Sequence, residues 1–273
     1  MDANIIKDIQ TRQMNMDKEN MVAIANDMIK GVSNLSLMEA KLLRLLIMQV
    51  VPEDDCFYRF NMKVNEFAKL LNIKSSNIYP QMKSIVSHLI SEVISIGDGN
   101  PKHPWQMFHW LDYCGYADGT LTIELSKHLS PYILGLKKWY TQYRLEEIIE
   151  LKSVYGIRLY ELIAMAMKNR LPHGDVSTEV YIDIDTIRKA TGTTNKYQRI
   201  SQFKEKIIYT AIRDINKHCV YYVTARDYKE GRKIVGFYFL IESANWHRLK
   251  EADPEKAEQI AMEAYMKKMQ NQE

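Results

Sequence analysis

Val180-Tyr-Ile-Asp-Ile-Asp-Thr-Ile-Arg-Lys-Ala-Thr-Gly192 starts with the alternation of a half-buried strand and ends with the spacing of a short helix. Asp183 and Asp185 place cap-type carboxylates where one period gives way to the other. Gly192 closes the stretch with a residue suited to the left-handed conformation beyond a helix end. The pattern occurs a second time, without a gap, in Phe60-Asn-Met-Lys-Val-Asn-Glu-Phe-Ala-Lys-Leu-Leu-Asn72. Apolar positions coincide at Phe60/Val180, Met62/Ile182, Val64/Ile184 and Phe67/Ile187, Asn65 is the cap-type residue, and Asn72 takes the place of the closing glycine. Upstream, Lys41-Leu-Leu-Arg-Leu-Leu-Ile-Met48 matches Arg158-Leu-Tyr-Glu-Leu-Ile-Ala-Met165, two helices with paired apolar residues one turn apart. The chain therefore carries a weak internal repeat.

The order of elements repeats as well. In the first half a helix over about 36–50 precedes a strand (57–62), a helix (63–71), a turn containing Lys74, Ser75 and Ser76, and a longer helix (about 77–91). Pro80 is expected in the first turn of that helix, where its missing N–H costs nothing. Alternating runs at Val93–Ile96, His103–Tyr113 and Thr120–Glu124, split by Gly97–Pro101 and Ala117–Gly119, read as hairpins. Trp105, Phe108, Trp110 and Tyr113 make the middle run apolar on both faces, which suits a buried central strand or an edge that pairs with another protomer. In the second half a helix (about 152–170) precedes a strand (179–183), a helix (184–190), the turn Thr191–Asn195 and a long helix (about 198–217). A hairpin follows, Val220–Arg226 and Lys233–Ile241, joined by a turn over Asp227–Arg232.

Helix–strand–helix–turn–helix–hairpin is the order of a winged helix. The expected fold is α+β, two tandem winged-helix domains. The expected divisions are a polar N-terminal segment (1–20), an N-terminal domain (21–135), a C-terminal domain (136–245) and a helical tail (246–273). The tail opens at Asp253-Pro254, a cap followed by a first-turn proline.

A winged helix reads duplex DNA with its second helix in the major groove and with helix ends and wing on phosphates. Base should therefore gather on those parts, and it does so in the second half. Between Lys196 and Lys233 ten basic residues stand against four acidic ones, a net +6 where the whole chain carries +3. Asn195, Lys196, Tyr197, Gln198, Arg199 and Gln202 at the expected helix start, with Lys206 beyond, are dense in side chains that read base edges. Arg226, Lys229, Arg232 and Lys233 fall on the expected wing. Ile200, Phe203, Ile207, Ile208, Ala211 and Ile212 form the apolar face of the same helix. The corresponding start in the first half offers Lys74, Ser75, Ser76, Asn77, Gln81 and Lys83, polar rather than strongly basic. Tyr79 there suits a phosphate or methyl contact and, equally, packing.

Other classes find little support. No Gly-Lys pair and no G-x-G-x-x-G occurs, so no phosphate-cradling loop is present. The seven histidines include no H-x-H or H-x-x-x-H, which removes the helical zinc-protease motif and the histidine pair of metal-dependent nickases. His103 and His109 near Cys114 lack a C-x-x-C partner. No catalytic site, metal or cofactor is expected. Cys56, Cys114 and Cys219 are an odd, scattered set, which fits a reducing cytoplasm. The N-terminal residues read as neither signal nor transit peptide, and no apolar run approaches a membrane span, so a cytoplasmic protein with no membrane partner is expected.

Four stretches carry a family resemblance. Leu35-Ser-Leu-Met-Glu-Ala-Lys-Leu-Leu43 resembles the opening of the iteron-binding plasmid replication initiators of the RepB/RepE-like superfamily. Leu125-Ser-Lys-His-Leu-Ser-Pro-Tyr-Ile-Leu134 and Tyr140-Thr-Gln-Tyr-Arg-Leu145 resemble its central segment, and Leu151-Lys-Ser-Val-Tyr-Gly-Ile-Arg-Leu-Tyr-Glu-Leu162 is similar to its Lys-Ser-x-Tyr-x-x-Arg-Leu-Tyr-Glu signature. The resemblance implies two winged-helix domains that bind direct repeats at a bacterial plasmid origin, with the C-terminal one as main reader. It further implies a host replication initiator and the replicative helicase as partners, and dimers, through the N-terminal domain, that repress the protein's own gene. Lys152, Ser153 and Arg158 fall in the signature, where Ser153 is placed as an N-cap. The alternative from a neighbouring class is a winged-helix transcription regulator that binds an inverted repeat. A third is a strand-transferring enzyme using a tyrosine.

Overall fold

The computed structural model describes residues 10–97, 100–102, 104–167 and 177–270. Backbone proximity divides the chain into two units, Met1–Ile149 and Glu150–Glu273.

The first unit opens with β1 (Thr11–Gln13), β2 (Met21–Ala25) and α1 (Asn26–Lys30). Next come α2 (Leu37–Ile47), β3 (Arg59–Lys63), α3 (Val64–Leu70) and α4 (Ser75–Ser91). Four strands follow, β4 (Val93–Ile96), β5 (Gln106–His109), β6 (Leu111–Ala117) and β7 (Thr120–Leu125). The unit closes with α5 (Ser130–Ile133), β8 (Tyr140–Arg144) and α6 (Glu146–Ile149). Its main sheet has the order β1-β3-β7-β6, with β1 parallel to β3 and the other pairs antiparallel. Ser36 caps α2 in a full capping box with Glu39. The apolar stripe of α2 (Leu42, Leu43, Leu45 and Leu46) is buried, as are Phe60, Met62, Phe67 and Leu121.

Three expectations change in this unit. The boundary falls after Ile149 rather than after residue 135, because β8 pairs antiparallel with β2, from Met21↔Arg144 to Ala25↔Tyr140. Helix α4 starts at Ser75, so Pro80 stands in its second turn and leaves the Ser76 carbonyl without an amide four residues on. The aromatic run is not one strand. It breaks at Trp110, which is buried, into β5, paired with β4, and β6, at the edge of the main sheet. Trp105 and Met107 are exposed, while Phe108 packs on Tyr132 and His128. The expected hairpin turn lies partly outside the described residues, as do His103, His173 and the end of the expected helix at 168–170.

The second unit consists of α7 (Val154–Met167), β9 (Ser177–Asp183), α8 (Ile184–Ala190) and α9 (Ile200–Phe203). Helix α9 runs through a π-helical stretch (Lys204–Tyr209) into α10 (Thr210–His218). Then come β10 (Tyr221–Glu230), β11 (Lys233–Ser243), α11 (Ala244–Ala252) and α12 (Pro254–Gln270). The sheet order is β10-β11-β9, antiparallel throughout. Ile157, Ile187, Phe203, Ile207, Ile208, Ala211, Ile215, Phe237 and Phe239 are buried, whereas Ile200 and Ile212 are only half-buried. Asp183 caps α8 through the Thr186 amide and hydroxyl, and Asp253 accepts from the Lys256 amide behind Pro254. Asn72 and Gly192 both take the left-handed conformation, φ 55° and 63°. Each unit thus has the helix–strand–helix–helix–hairpin order of a winged helix.

The signature around 151–162 is architectural. Ser153 caps α7 by accepting from the Tyr155 amide at 3.1 Å. The Asp214 carboxylate, from α10, accepts from the amides of Lys152 at 2.9 Å and Ser153 at 2.7 Å. Gly156 leaves room for it, since a Cβ there would lie 2.6 Å from Asp214 Oδ2. Replacing Asp214 with Ala leaves those amides short of a charged acceptor and is expected to cost about 2 kcal/mol, read by urea denaturation; Asp214→Asn should retain part of it.

Candidate nucleic-acid interface

Three segments of the second unit meet around a cleft of about 820 Å³: α8 with Asp185, Arg188 and Lys189, the loop before α9 with Thr194 and Gln198, and the hairpin tip with Lys229, Arg232 and Lys233. The tip is a sharp one. Glu230 pairs with Lys233, leaving the two-residue turn Gly231-Arg232, with Gly231 at φ 61°. A bulge beside Tyr228 and Lys229 twists the end of the ribbon. The turn expected over Asp227–Arg232 is therefore mostly strand. Lys229, Arg232 and Lys233 are exposed, and four cations with Lys189 face one open cleft against the single carboxylate of Asp185.

The helix start also differs from expectation. The long helix begins at Ile200, so Asn195, Lys196, Tyr197, Gln198 and Arg199 form a loop and not its first turn. Arg188 holds this loop. Its guanidinium donates to the carbonyls of Thr193 (3.1 Å), Lys196 (2.7 Å) and Tyr197 (2.9 Å) and lies over the Phe203 ring at 4.2 Å. The Thr193 carbonyl accepts from the Lys196 amide as well, at 3.0 Å, so the loop is tied by backbone and guanidinium together. Tyr197 sits at φ 52°, and Gln198 donates to the Thr194 carbonyl at 2.9 Å. Asn195, Lys196, Gln198 and Arg199 are exposed on the loop, as are Gln202 on α9 and Lys206 on the π stretch. Burial lowers the Arg188 pKa, opposed by the Asp185 charge, yet a guanidinium stays cationic.

The π stretch keeps the helix in phase with the core. Phe203 and Ile208 are five residues apart and both buried, the spacing that an i→i+5 turn brings onto one face.

Arg226 stands apart from the tip. It lies on β10, makes two bonds to Glu179 at 3.1 and 2.9 Å, and covers the Tyr238 ring at 4.1 Å. Its bond to Glu179 raises its pKa, and its charge is matched within the sheet. Lys204 is likewise paired with Asp227 at 2.9 Å. Arg158, in the signature, is buried, donating to the Ala190 carbonyl at 2.7 Å and to Glu161 at 3.0 Å. Sequence reasoning missed Lys189 and Thr194; the only signal was their nearness in sequence to the capped end of α8.

In the first unit Lys74 precedes Ser75 at the start of α4, and Lys74, Ser76, Asn77, Gln81 and Lys83 are exposed. Lys74 precedes the helix in extended conformation, and Asn77 and Gln81 share one face of α4 by helical spacing. Lys83 belongs to another: with Tyr79, Met82, Val86, Ile90, Tyr116 and others it lines an apolar cleft of about 590 Å³. Tyr79 packs edge-on against Tyr116, a packing role. The clefts of the two units thus differ, basic in the second and mainly apolar in the first. Among the described residues no cluster of three or more His, Cys, Asp or Glu could hold a metal ion, and no helix is long and apolar enough to cross a membrane.

Residues 21–164 match the family described as Initiator Replication protein, WH1, and residues 183–241 that described as Initiator Rep protein, WH2. An Escherichia coli protein described as an uncharacterized 27.6 kDa protein is 23% identical over 215 residues, 74% of this chain and 87% of its own length. Among solved structures, the Pi initiator protein in complex with iteron DNA is similar with a TM-score of 0.67 at 19% identity, over 83% of this chain and 98% of that one.

Proposed function

The chain belongs to the initiator replication protein family, and from that premise we propose that it initiates plasmid replication by binding direct repeats at the origin as duplex DNA, without catalysis of its own. The observation that carries this reading is the cleft of the second unit, where exposed cations of the hairpin tip and the loop before α9 lie at one surface. Phosphates would contact Lys189, Lys229, Arg232 and Lys233, while Gln198, Arg199 and Gln202 read base edges. The likeness to Pi, seen with iteron DNA, supports the same reading. Lys74, Ser75, Ser76, Asn77 and Gln81 form a lesser contact in the first unit; Lys83 faces the apolar cleft instead.

Self-association through the first unit is part of the proposal, supported by the edge strand β6 with exposed Tyr113 and Tyr116 and by exposed Met107 on β5. As a dimer the protein represses its own gene, and as an origin complex it engages the host initiator and the replicative helicase in the cytoplasm.

Footprinting the full chain on DNA flanking its gene, at two salt concentrations, tests this. Protection of several direct repeats, weaker at higher salt and in Arg199→Ala, is the expected result. A single protected inverted repeat at a promoter would instead favour a regulator, and no protection at low salt would sink the DNA reading.

A further inference from the structure

We infer that Arg188 and Thr193 are positioning residues for sequence recognition, which they serve by holding the loop 193–199 in a reading conformation without touching the bases. The inference rests on the DNA reading above.

Arg188 is 9% exposed and projects from the last turn of α8 under the loop. One planar fork meets three loop carbonyls, those of Thr193, Lys196 and Tyr197. The ring of Phe203, itself fully buried, backs the guanidinium at 4.2 Å, so the fork has a rigid base. At its first end the loop is fixed by the buried Thr193 hydroxyl, 2.8 Å from that of Thr191. Within the loop Tyr197 takes φ 52°, a conformation that a bulky residue holds only when its surroundings impose it.

Every exposed polar side chain of the loop is attached next to, or within two residues of, a carbonyl that Arg188 holds. Asn195 and Lys196 precede the last of them, and Gln198 and Arg199 follow it. Without the fork the loop backbone has several conformations open to it, and binding a defined base sequence must then select one. Phosphate attraction depends on charge more than on such detail, so contacts from the hairpin tip continue. A lysine does not reproduce the fork: its ammonium is a compact point charge, whereas two guanidinium nitrogens of Arg188 reach three carbonyls.

The experiment compares the full chain with Arg188→Lys and Thr193→Val, the second nearly keeping the side-chain shape and removing the hydroxyl that meets Thr191. Thermal midpoint, affinity for the repeat found by footprinting, affinity for a scrambled duplex and the salt slope are measured for each. Arg188→Lys should weaken repeat binding by about tenfold and Thr193→Val by about threefold, with scrambled-duplex affinity and salt slope unchanged, so that discrimination falls. A merely structural role would lower both affinities by one factor and leave their ratio intact, and that result overturns the inference while sparing the DNA reading. Failure of the unaltered chain to bind any duplex overturns both.

Discussion

Replacing Arg158 with Ala is expected to destabilise the second unit by about 3–5 kcal/mol. The Glu161 side chain is fully buried and lies 3.0 Å from the Arg158 guanidinium, whose Nε also donates to the Ala190 carbonyl. Truncation therefore removes the cation from a carboxylate that water does not reach and strips a hydrogen bond from the end of α8. The check is urea denaturation of both chains followed by far-ultraviolet circular dichroism, with the slope compared as well as the midpoint. Arg158→Met combined with Glu161→Leu removes both charges and should recover a large part of the loss, because the penalty lies in separating the pair rather than in lacking it. A loss below about 1 kcal/mol for Arg158→Ala would mean that the pair is not held dry as described.

The largest effect on binding is expected from the hairpin tip. Changing Lys229, Arg232 and Lys233 together to Ala should weaken duplex binding by about 100-fold near 0.1 M salt and reduce the salt slope by up to about 3, since each phosphate contact contributes roughly 0.9. All three are exposed at the turn, where their loss removes no core packing, so the thermal midpoint should hardly move. Arg226→Ala is the contrasting variant. Its charge is already matched by Glu179 through two bonds, and binding should weaken less than threefold. Titrations of a labelled repeat at four salt concentrations separate the two, and equal losses from Arg226 and from the tip would contradict the geometry.

Much of the fold was legible because it depends on local periods and end signals. The strand-to-helix change at Asp183 and the left-handed closures at Asn72 and Gly192 follow from residues within a few positions of one another. What escaped reading is long-range or irregular. The strand Met21–Ala25 becomes a strand by pairing with Tyr140–Arg144, so neither segment announces itself alone, and the domain boundary moved with that pairing. The break at Trp110 divides a run whose aromatic content looked continuous.

The candidate site divides along the same line. Sequence alone determined that base gathers between 196 and 233 and that a turn and a hairpin carry it, because charge density and turn chemistry are properties of consecutive residues. Which cations stay available was decided only in three dimensions. Arg226 is matched by Glu179, 47 residues away, and Lys204 by Asp227, 23 away. Arg188, which sequence places on a short helix, is turned inward by the three carbonyls it satisfies and ties down the loop before α9. A hydrogen bond or ion pair forms wherever folding brings its partners within about 3 Å, and that distance bears no fixed relation to separation along the chain.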